Sequence, residues 1–220
     1  MLVPMRLFAS LRPSDAALEH LARALTSVHL GARPFDGSGA PPVRWSAPES
    51  WHVTLAFYGD VPDGAVPELE DGLADLAAHH EPFDLRLQGA GVFAHRTLWV
   101  GLGGDAAAVV GLCAGARDVG AAVLGRAEAR ERARPHLTVG RVTDEVRAGR
   151  SRRRGGRGGR GAGRAAGVDP LAAPVRALGV YEGPSWTVDA VRLVRSDLGQ
   201  GRGGSALHTD VARLRLGARP

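Results

Sequence analysis

The sequence of 220 residues lacks lysine and contains a single cysteine, Cys113. One cysteine cannot form an internal disulfide, which is typical of proteins from a reducing compartment, so we expect a cytoplasmic location. No apolar run approaches the roughly 20 residues that cross a bilayer, so we expect no membrane association. The N-terminus has no basic stretch followed by an apolar one, and no secretory signal is predicted. Apolar residues reach 44% of the chain, which excludes a disordered protein.

Glycine-rich phosphate-binding turns are also missing. Neither G-x-G-x-x-G nor G-x-x-x-x-G-K-[ST] occurs between a predicted strand and a predicted helix. These turns hold dinucleotides and nucleoside triphosphates, so the sequence predicts no nucleotide cofactor. We also expect a monomer.

Positive charge is concentrated in one segment. Residues 147–164 contain eight of the 28 arginines and no acidic residue, whereas the rest of the chain has 20 arginines against 23 acidic residues. The formal charge of +5 for the whole chain therefore does not describe the folded body. Arg, Gly and Ala dominate residues 147–167 and leave few apolar side chains to bury. We therefore predict a disordered insertion there, within a single domain that spans residues 1–220.

Hydrophobic periodicity divides the rest of the chain into helices and strands. Apolar residues recur at helical spacing in three segments, the first of which has Ser14 as its N-cap. Seven segments have the alternation and residue types of strands. Because several strands follow one another without an intervening helix, the order indicates an α+β fold with much antiparallel pairing. The predicted strands are 5–11, 50–58, 83–88, 97–102, 135–142, 186–195 and 206–216, and the later helices are 63–79 and 105–124.

One short motif occurs twice, as His52-Val-Thr-Leu55 and as His136-Leu-Thr-Val139. The chain has 8 histidines and 7 threonines, so about 0.25 His-x-Thr pairs are expected by chance. On a strand, residues i and i+2 share a face, so each motif would present an imidazole and a hydroxyl together. A single histidine on a strand face is more often structural, but a repeat in the same register favours a functional site.

This residue set suits phosphoryl chemistry. Hydrolysis of a cyclic phosphodiester needs a base that activates water and an acid that protonates the leaving oxygen, and imidazole, with a pKa of about 6.5, serves as either near neutral pH. Threonine hydroxyls can donate hydrogen bonds to the phosphate oxygens. His52 and His136 are therefore the candidate catalytic pair. No metal is expected, since no carboxylate stands at ligand spacing around them.

The motifs and their surroundings resemble the two-histidine phosphoesterases, and among them the bacterial RNA 2′,3′-cyclic phosphodiesterases, also named 2′-5′ RNA ligases. The twin motif is typical of the superfamily, and the Phe-Tyr-Gly and Arg-Pro-His contexts favour the RNA branch. The similar segments cover most of the chain outside the Arg/Gly-rich part. They are residues 5–9, 44–45, 51–59, 91–93, 98–102, 134–141 and 191–196.

The resemblance implies two pseudo-symmetric lobes, each an antiparallel sheet with outer helices, and an active-site cleft between them. It implies hydrolysis of the 2′,3′-cyclic phosphate at an RNA end to a 2′-phosphate, with RNA as the partner and no cofactor. In that reaction His52 is the expected proton donor and His136 the expected proton acceptor, although the sequence leaves their order open.

The resemblance also suggests residues that contact the substrate. Thr54 and Thr138 would hold the phosphate. Arg134 and Arg141 are candidate contacts to phosphate or RNA backbone, and Phe93 is a candidate for stacking on the terminal base.

Two departures from the family pattern are visible. Residues 147–167 look like an insertion, and His208 stands where a tyrosine is expected near the C-terminus.

Other activities remain open at this point. They are ligation of RNA ends by a 2′-5′ bond, hydrolysis of a small cyclic nucleotide or of ADP-ribose cyclic phosphate, and RNA binding without catalysis through the Arg/Gly-rich segment.

Overall fold

The computed structural model describes residues 5–31, 42–126, 134–143, 169–201 and 204–218. The predicted insertion at 147–167 lies outside these residues. The described part forms nine strands, four α-helices and two short 3-10 turns. The strands are β1 (Met5–Leu11), β2 (Val43–Trp45), β3 (Val53–Val61), β4 (Phe83–Phe93), β5 (Thr97–Gly104), β6 (Leu137–Val142), β7 (Glu182–Val188), β8 (Ala190–Asp197) and β9 (Leu207–Arg215). The helices are α1 (Asp15–Gly31), α2 (Val66–Ala78), α3 (Ala106–Leu124) and α4 (Ala172–Leu178).

The nine strands form one sheet in the order β7-β4-β5-β6-β3-β1-β8-β9, and β2 pairs with β6. Every pairing among the described strands is antiparallel. Helices and an antiparallel sheet within one chain confirm the predicted α+β fold. The N-cap prediction is also confirmed, since the Ala17 backbone N–H donates to Ser14 Oγ over 3.3 Å.

The sheet consists of two groups of strands, which we call the first lobe (β1, β3, β8 and β9) and the second lobe (β2, β4, β5, β6 and β7). The lobes join where β3 meets β6, through the single residue pair Val53 and Leu137. The two His-Thr motifs therefore lie on the two strands that connect the lobes. This junction positions the candidate site.

Helices cover one face of the sheet, and each lobe receives a helix from the other half of the chain. Helix α1 follows β1 of the first lobe but packs against β4 and β7 of the second, whereas α3 follows β5 of the second lobe but packs against β3 of the first. Helix α2 packs on α3, β8 and β9, and α4 packs on β4. We call the opposite face of the sheet the open face.

The core lies between the helices and the sheet. Residues 7–11 of β1 are all buried, Leu7, Ala9 and Leu11 on the face that the helices cover and Phe8 and Ser10 on the opposite face. Helix α1 contributes leucines at helical spacing, and α2 does the same for the first lobe. The most deeply buried side chains include Leu7, Leu11, Leu21, Leu69, Leu73, Leu87, Leu98, Leu112 and Leu137.

The structure corrects three expectations about elements. The predicted strand 186–195 is two strands separated at Asp189, because β7 pairs with β4 of the second lobe and β8 with β1 of the first. Strand β4 continues to Phe93, beyond the predicted end at residue 88. The histidine of each motif immediately precedes its strand rather than lying within it.

Helix α3 corrects a fourth expectation. It has 19 residues with a mean hydropathy of 1.6 and is long and apolar enough to cross a membrane by length and composition alone, so the expectation that no apolar run reaches this length is wrong. In the structure α3 packs against α2 and β3. Its buried residues, Val109, Leu112, Cys113 and Ala116, belong to the core.

Candidate active site

The two His-Thr motifs lie side by side on the open face. Val53 and Leu137 are cross-strand partners, and both are fully buried in the core. Because neighbouring residues of a strand point to opposite faces, the residues that flank this pair point to the open face. Counting outward from the pair, the antiparallel register matches the histidine of each motif with the threonine of the other, His52 with Thr138 and His136 with Thr54.

Each imidazole is oriented by the main chain two residues earlier. His52 Nδ1 donates to the Ser50 carbonyl oxygen over 2.7 Å, and His136 Nδ1 donates to the Arg134 carbonyl oxygen over 2.9 Å. A carbonyl oxygen only accepts hydrogen bonds, so both contacts place a hydrogen on Nδ1. These hydrogen bonds fix the tautomer of each neutral ring, with its hydrogen on Nδ1.

Three aromatic rings pack together in the first lobe. The ring centroid of Phe8 lies 4.7 Å from that of His52, and His208 of β9 packs edge-on against both rings, 5.1 Å from each. Ser10, the β1 partner of Thr54, is only 1% exposed. We call Phe8, His52 and His208 the His52 cluster, and its packing fixes the plane of the His52 ring.

Burial changes the protonation of one member of the His52 cluster. The pKa of His208 is lowered from its usual 6.5, since the charged imidazolium loses hydration on burial. His208 is therefore neutral at pH 7 and adds no positive charge beside His52.

An equivalent cluster of rings surrounds His136 in the second lobe. Phe93 packs edge-on against His136 at 4.7 Å, and it stacks on Trp99 at 5.1 Å with an interplanar angle of 27°. A Cβ at Gly91, the cross-strand partner of Trp99, would lie 2.3 Å from Trp99 Cζ2, so only glycine leaves room for the indole. Phe93 is 38% exposed, which leaves part of its ring open to a ligand.

Both motif strands carry a β-bulge at the residue after the threonine. The partners on β1 skip Leu55 of β3, and the partners on β5 skip Val139 of β6. A bulge inserts one residue and so shifts the alternation of faces beyond it. Phe57 and Arg141, three residues after the threonines, therefore point to the open face. The lobes correspond residue by residue in the pairs His52/His136, Thr54/Thr138 and Phe57/Arg141.

Two arginines predicted to contact the substrate lie in the second lobe. Arg141 Nη1 donates to the hydroxyl of its cross-strand partner Thr97 over 3.2 Å. Arg134 is exposed, and its guanidinium carbon lies 5.9 Å from the Trp99 ring centroid. Both guanidinium groups are thus held beside the cluster that contains His136.

The structure brings the seven predicted site residues together, although their roles stay predictions. They are His52, Thr54, Phe93, Arg134, His136, Thr138 and Arg141. Sequence reasoning missed Ser10, Trp99 and Phe57 as neighbours of the motifs, and it noted His208 only as a departure from the family. Ser10, Trp99 and His208 come from strands distant in sequence, and Phe57 faces the site because of a bulge that no local pattern marks. Among the residues that the structure describes, no group of three or more His, Cys, Asp or Glu could hold a metal ion.

Comparison with known families bears on this site. The family model described as LigT like Phosphoesterase matches residues 13–99, which include the first His-Thr motif. The match covers less than half of the chain, so it shows that this segment is similar to the LigT-like phosphoesterases. The resemblance to the two-histidine phosphoesterases is thereby confirmed.

Curated relatives of this chain carry the name RNA 2′,3′-cyclic phosphodiesterase. The protein of Geobacillus stearothermophilus is 39% identical over 113 residues, which are 48% of this chain and 35% of that protein. The protein of Methanothermobacter thermautotrophicus is 34% identical over 104 residues, 46% of this chain and 55% of that protein. The chain therefore spans about half the length of the curated relatives it matches, or less.

Solved structures share the fold of this chain over nearly its whole length. A protein of Thermus thermophilus is 23% identical with a TM-score of 0.65, and the superposition covers 97% of this chain and 98% of that chain. Apo LigT of Escherichia coli is 20% identical with a TM-score of 0.62 and the same coverage. At these identities the similarity shows the fold.

Proposed function

We propose that this protein hydrolyses the 2′,3′-cyclic phosphate at the end of an RNA to a 2′-phosphate. The observation that carries the proposal is the pair of equivalent imidazoles at the junction of the lobes, each with its Nδ1 hydrogen bonded to a carbonyl and a threonine of the other motif opposite. The name shared by the curated relatives supports the substrate class.

The proposed reaction is an in-line displacement at phosphorus. The oxygen of a water forms a bond to phosphorus while the bond from phosphorus to O3′ breaks. His136 Nε2 takes a proton from the water, and His52 Nε2 gives its proton to O3′. The products are a free 3′-hydroxyl and a 2′-phosphate, and the two imidazoles have exchanged protonation states.

Local charge supports this assignment of acid and base. Arg134 and Arg141 lie in the lobe of His136, one against Trp99 and the other hydrogen bonded to Thr97. The rings packed on His52 are the neutral His208 and Phe8. A positively charged His52 would therefore not be repelled by another charged ring of the His52 cluster.

The remaining predicted residues have binding roles in this proposal. Thr54 and Thr138 donate hydrogen bonds to the non-bridging phosphate oxygens, where negative charge is largest in the transition state. Arg134 and Arg141 bind phosphate or RNA backbone, and the exposed part of Phe93 stacks on the terminal base. We further propose that the chain acts as one two-lobed, cytoplasmic monomer, without metal or nucleotide cofactor.

The test is turnover of an RNA oligonucleotide with a 2′,3′-cyclic phosphate end, in buffer containing a metal chelator. Chromatography against standards separates 2′-phosphate from 3′-phosphate products. We expect the 2′-phosphate, and we expect His52→Ala and His136→Ala each to lower kcat by about 10²–10⁴-fold, the usual contribution of a general acid or base.

The matched control is His79→Ala, which removes an exposed histidine at the end of α2 and should leave the rate unchanged. Full activity in either of the other variants would contradict the mechanism. A 3′-phosphate product would contradict the proposed reaction, and a product joined by a 2′-5′ bond would instead support ligation.

A further inference from the structure

A groove next to the His52 cluster has no role in the proposed hydrolysis. It lies where β1 begins and where β3 and β8 end, and it encloses about 440 Å³. We call it the Arg6 groove. Its lining residues are Met5, Arg6, Asp60, Arg195, Ser196, Asp197 and Leu198.

One cross-strand pair links the Arg6 groove to the candidate active site. Ser196 lines the groove and is the cross-strand partner of His208, whose ring packs on His52. Arg6 lies two residues before Phe8 on β1 and so points to the same open face. From Ser10, the partner of Thr54, to Arg6 the strand rises by about 13 Å, which is beyond the sugar that carries the reacting phosphate.

The groove contains a flat cationic surface. The Arg6 guanidinium carbon lies 4.6 Å from the ring centroid of Phe57. Phe57 is the counterpart in the first lobe of Arg141, because the two bulges turn both residues to the open face. A guanidinium plane backed by an aromatic ring is a surface on which a nucleobase stacks.

The other lining residues fit a nucleotide. Asp60 is the cross-strand partner of Arg6, and its carboxylate accepts hydrogen bonds from the amino and imino groups of a base. Arg195 forms an ion pair with Asp197 over 2.9 Å. Arg6, in contrast, lies against an aromatic ring. Leu198, which is 64% exposed, offers apolar contact to a base or sugar.

We propose that the Arg6 groove binds the nucleotide that precedes the cyclic-phosphate nucleotide in an RNA strand, with its base stacked on the guanidinium of Arg6. This inference rests on the proposed function and narrows it. The preferred substrate is an RNA end of at least two nucleotides. Its terminal nucleotide carries the cyclic phosphate, and the preceding nucleotide binds in the Arg6 groove of the first lobe.

The test compares two substrates in the same enzyme. kcat/KM is measured for a dinucleotide that ends in a 2′,3′-cyclic phosphate and for the corresponding mononucleoside cyclic phosphate, and the ratio of the two is the readout. Effects on the chemical step cancel in this ratio. We expect a ratio above ten for the wild-type protein and a fall of about tenfold in Arg6→Ala, the size of one lost stacking contact.

Two further variants make the test independent of folding defects. Phe57→Leu keeps an apolar side chain behind Arg6 but removes the ring, and the ratio should fall in the same direction. Arg23→Ala removes an exposed arginine on α1 that pairs with Glu19 at 3.8 Å, and the ratio should not change. Thermal melts of all variants check that each is folded.

The outcomes separate this inference from the proposed function. If wild-type protein turns over neither substrate, the proposed function fails. If it turns over both with equal kcat/KM, or if Arg6→Ala and Phe57→Leu keep the wild-type ratio, hydrolysis stands and the Arg6 groove is not a nucleotide subsite.

Discussion

Main-chain carbonyls, rather than carboxylates, orient His52 and His136. A carboxylate at Nδ1 would favour the charged imidazolium, whereas a carbonyl fixes the tautomer of the ring without adding a charge. In the proposed reaction the same local geometry would therefore serve the acid in one lobe and the base in the other. The difference between the two histidines comes from their neighbours, which are the part of the site that the motif itself does not encode.

His208 gives a prediction at this scale. Its pKa in the folded protein is lowered from 6.5, so the unfolded chain binds the proton first as the pH falls. The free energy of unfolding therefore decreases below about pH 6.5, down to the lower pKa of the folded state. His208→Phe keeps a ring against Phe8 and His52 but removes the titration. We expect its stability to fall less between pH 7 and pH 5, as measured by urea denaturation at both values.

The comparison for His208→Phe is His79→Phe, because His79 is exposed at the end of α2. That variant should show the same pH dependence as the wild-type protein. Equal losses of stability in wild type and His208→Phe between pH 7 and pH 5 would mean that the titration of His208 is not linked to folding.

At the scale of elements, the sequence predicted which residues of each motif share a face of the strand but not how the strand continues. Alternation correctly placed Val53 in the core and His52 and Thr54 on the other face. Beyond the threonines it fails, because the bulges at Leu55 and Val139 insert a residue that no local pattern marks. The resemblance suggested Arg141 as a contact, and the bulge is the physical reason that Arg141 reaches the open face.

The break between β7 and β8 could not be predicted for a similar reason. Residues 186–195 alternate as one continuous strand, yet the chain changes partner lobe at Asp189, whose carboxylate accepts a hydrogen bond from Arg213 over 2.5 Å. Strand character is local, whereas the choice of partner depends on contacts with distant parts of the chain. The sequence indicated the residues that form strands but not the lobe that each would join.

Helix α3 gives a prediction for a single element. Tyr58, the second bulged residue of β3, donates its hydroxyl hydrogen to the Ala116 carbonyl oxygen over 3.0 Å. Its ring lies so close to the helix that a Cβ at Gly120 would be 2.6 Å from Tyr58 Cε1. Gly120→Ala gains about 1 kcal/mol of helix propensity but overpacks the core, at a typical cost of about 1–3 kcal/mol. We expect a net loss of stability in urea denaturation.

Gly111→Ala is the matched control for Gly120→Ala, since both residues lie in α3. A Cβ at Gly111 would meet only His80 Nε2, at an ordinary 3.7 Å. This variant should therefore be more stable than the wild-type protein by up to about 1 kcal/mol. If both variants shift stability in the same direction, the close contact between Tyr58 and Gly120 does not limit the packing of α3.

At the scale of the whole molecule, the exchange of helices joins the lobes more strongly than the sheet does. The sheet connects them through one residue pair, Val53 and Leu137. Helices α1 and α3, however, each lie in the core of the lobe that does not contain the strand before them. Neither lobe has a complete core without a segment from the other half of the chain. The amphipathic pattern of α1 indicated a buried face, but it contains no information about which sheet that face would cover.

This arrangement predicts that the described lobes unfold together. Leu21 of α1 is fully buried in the core of the second lobe, and Leu21→Ala should cost about 2–5 kcal/mol. Because α1 is attached to β1, the loss should lower amide hydrogen-exchange protection in β1 and β8 of the first lobe as much as in β4 and β5 of the second. Leu73→Ala in α2, which packs on the first lobe, should give the same pattern. If either variant lost protection in only one lobe, the lobes would be separate folding units. The two motifs would then be equivalent in geometry but would not depend on each other for stability.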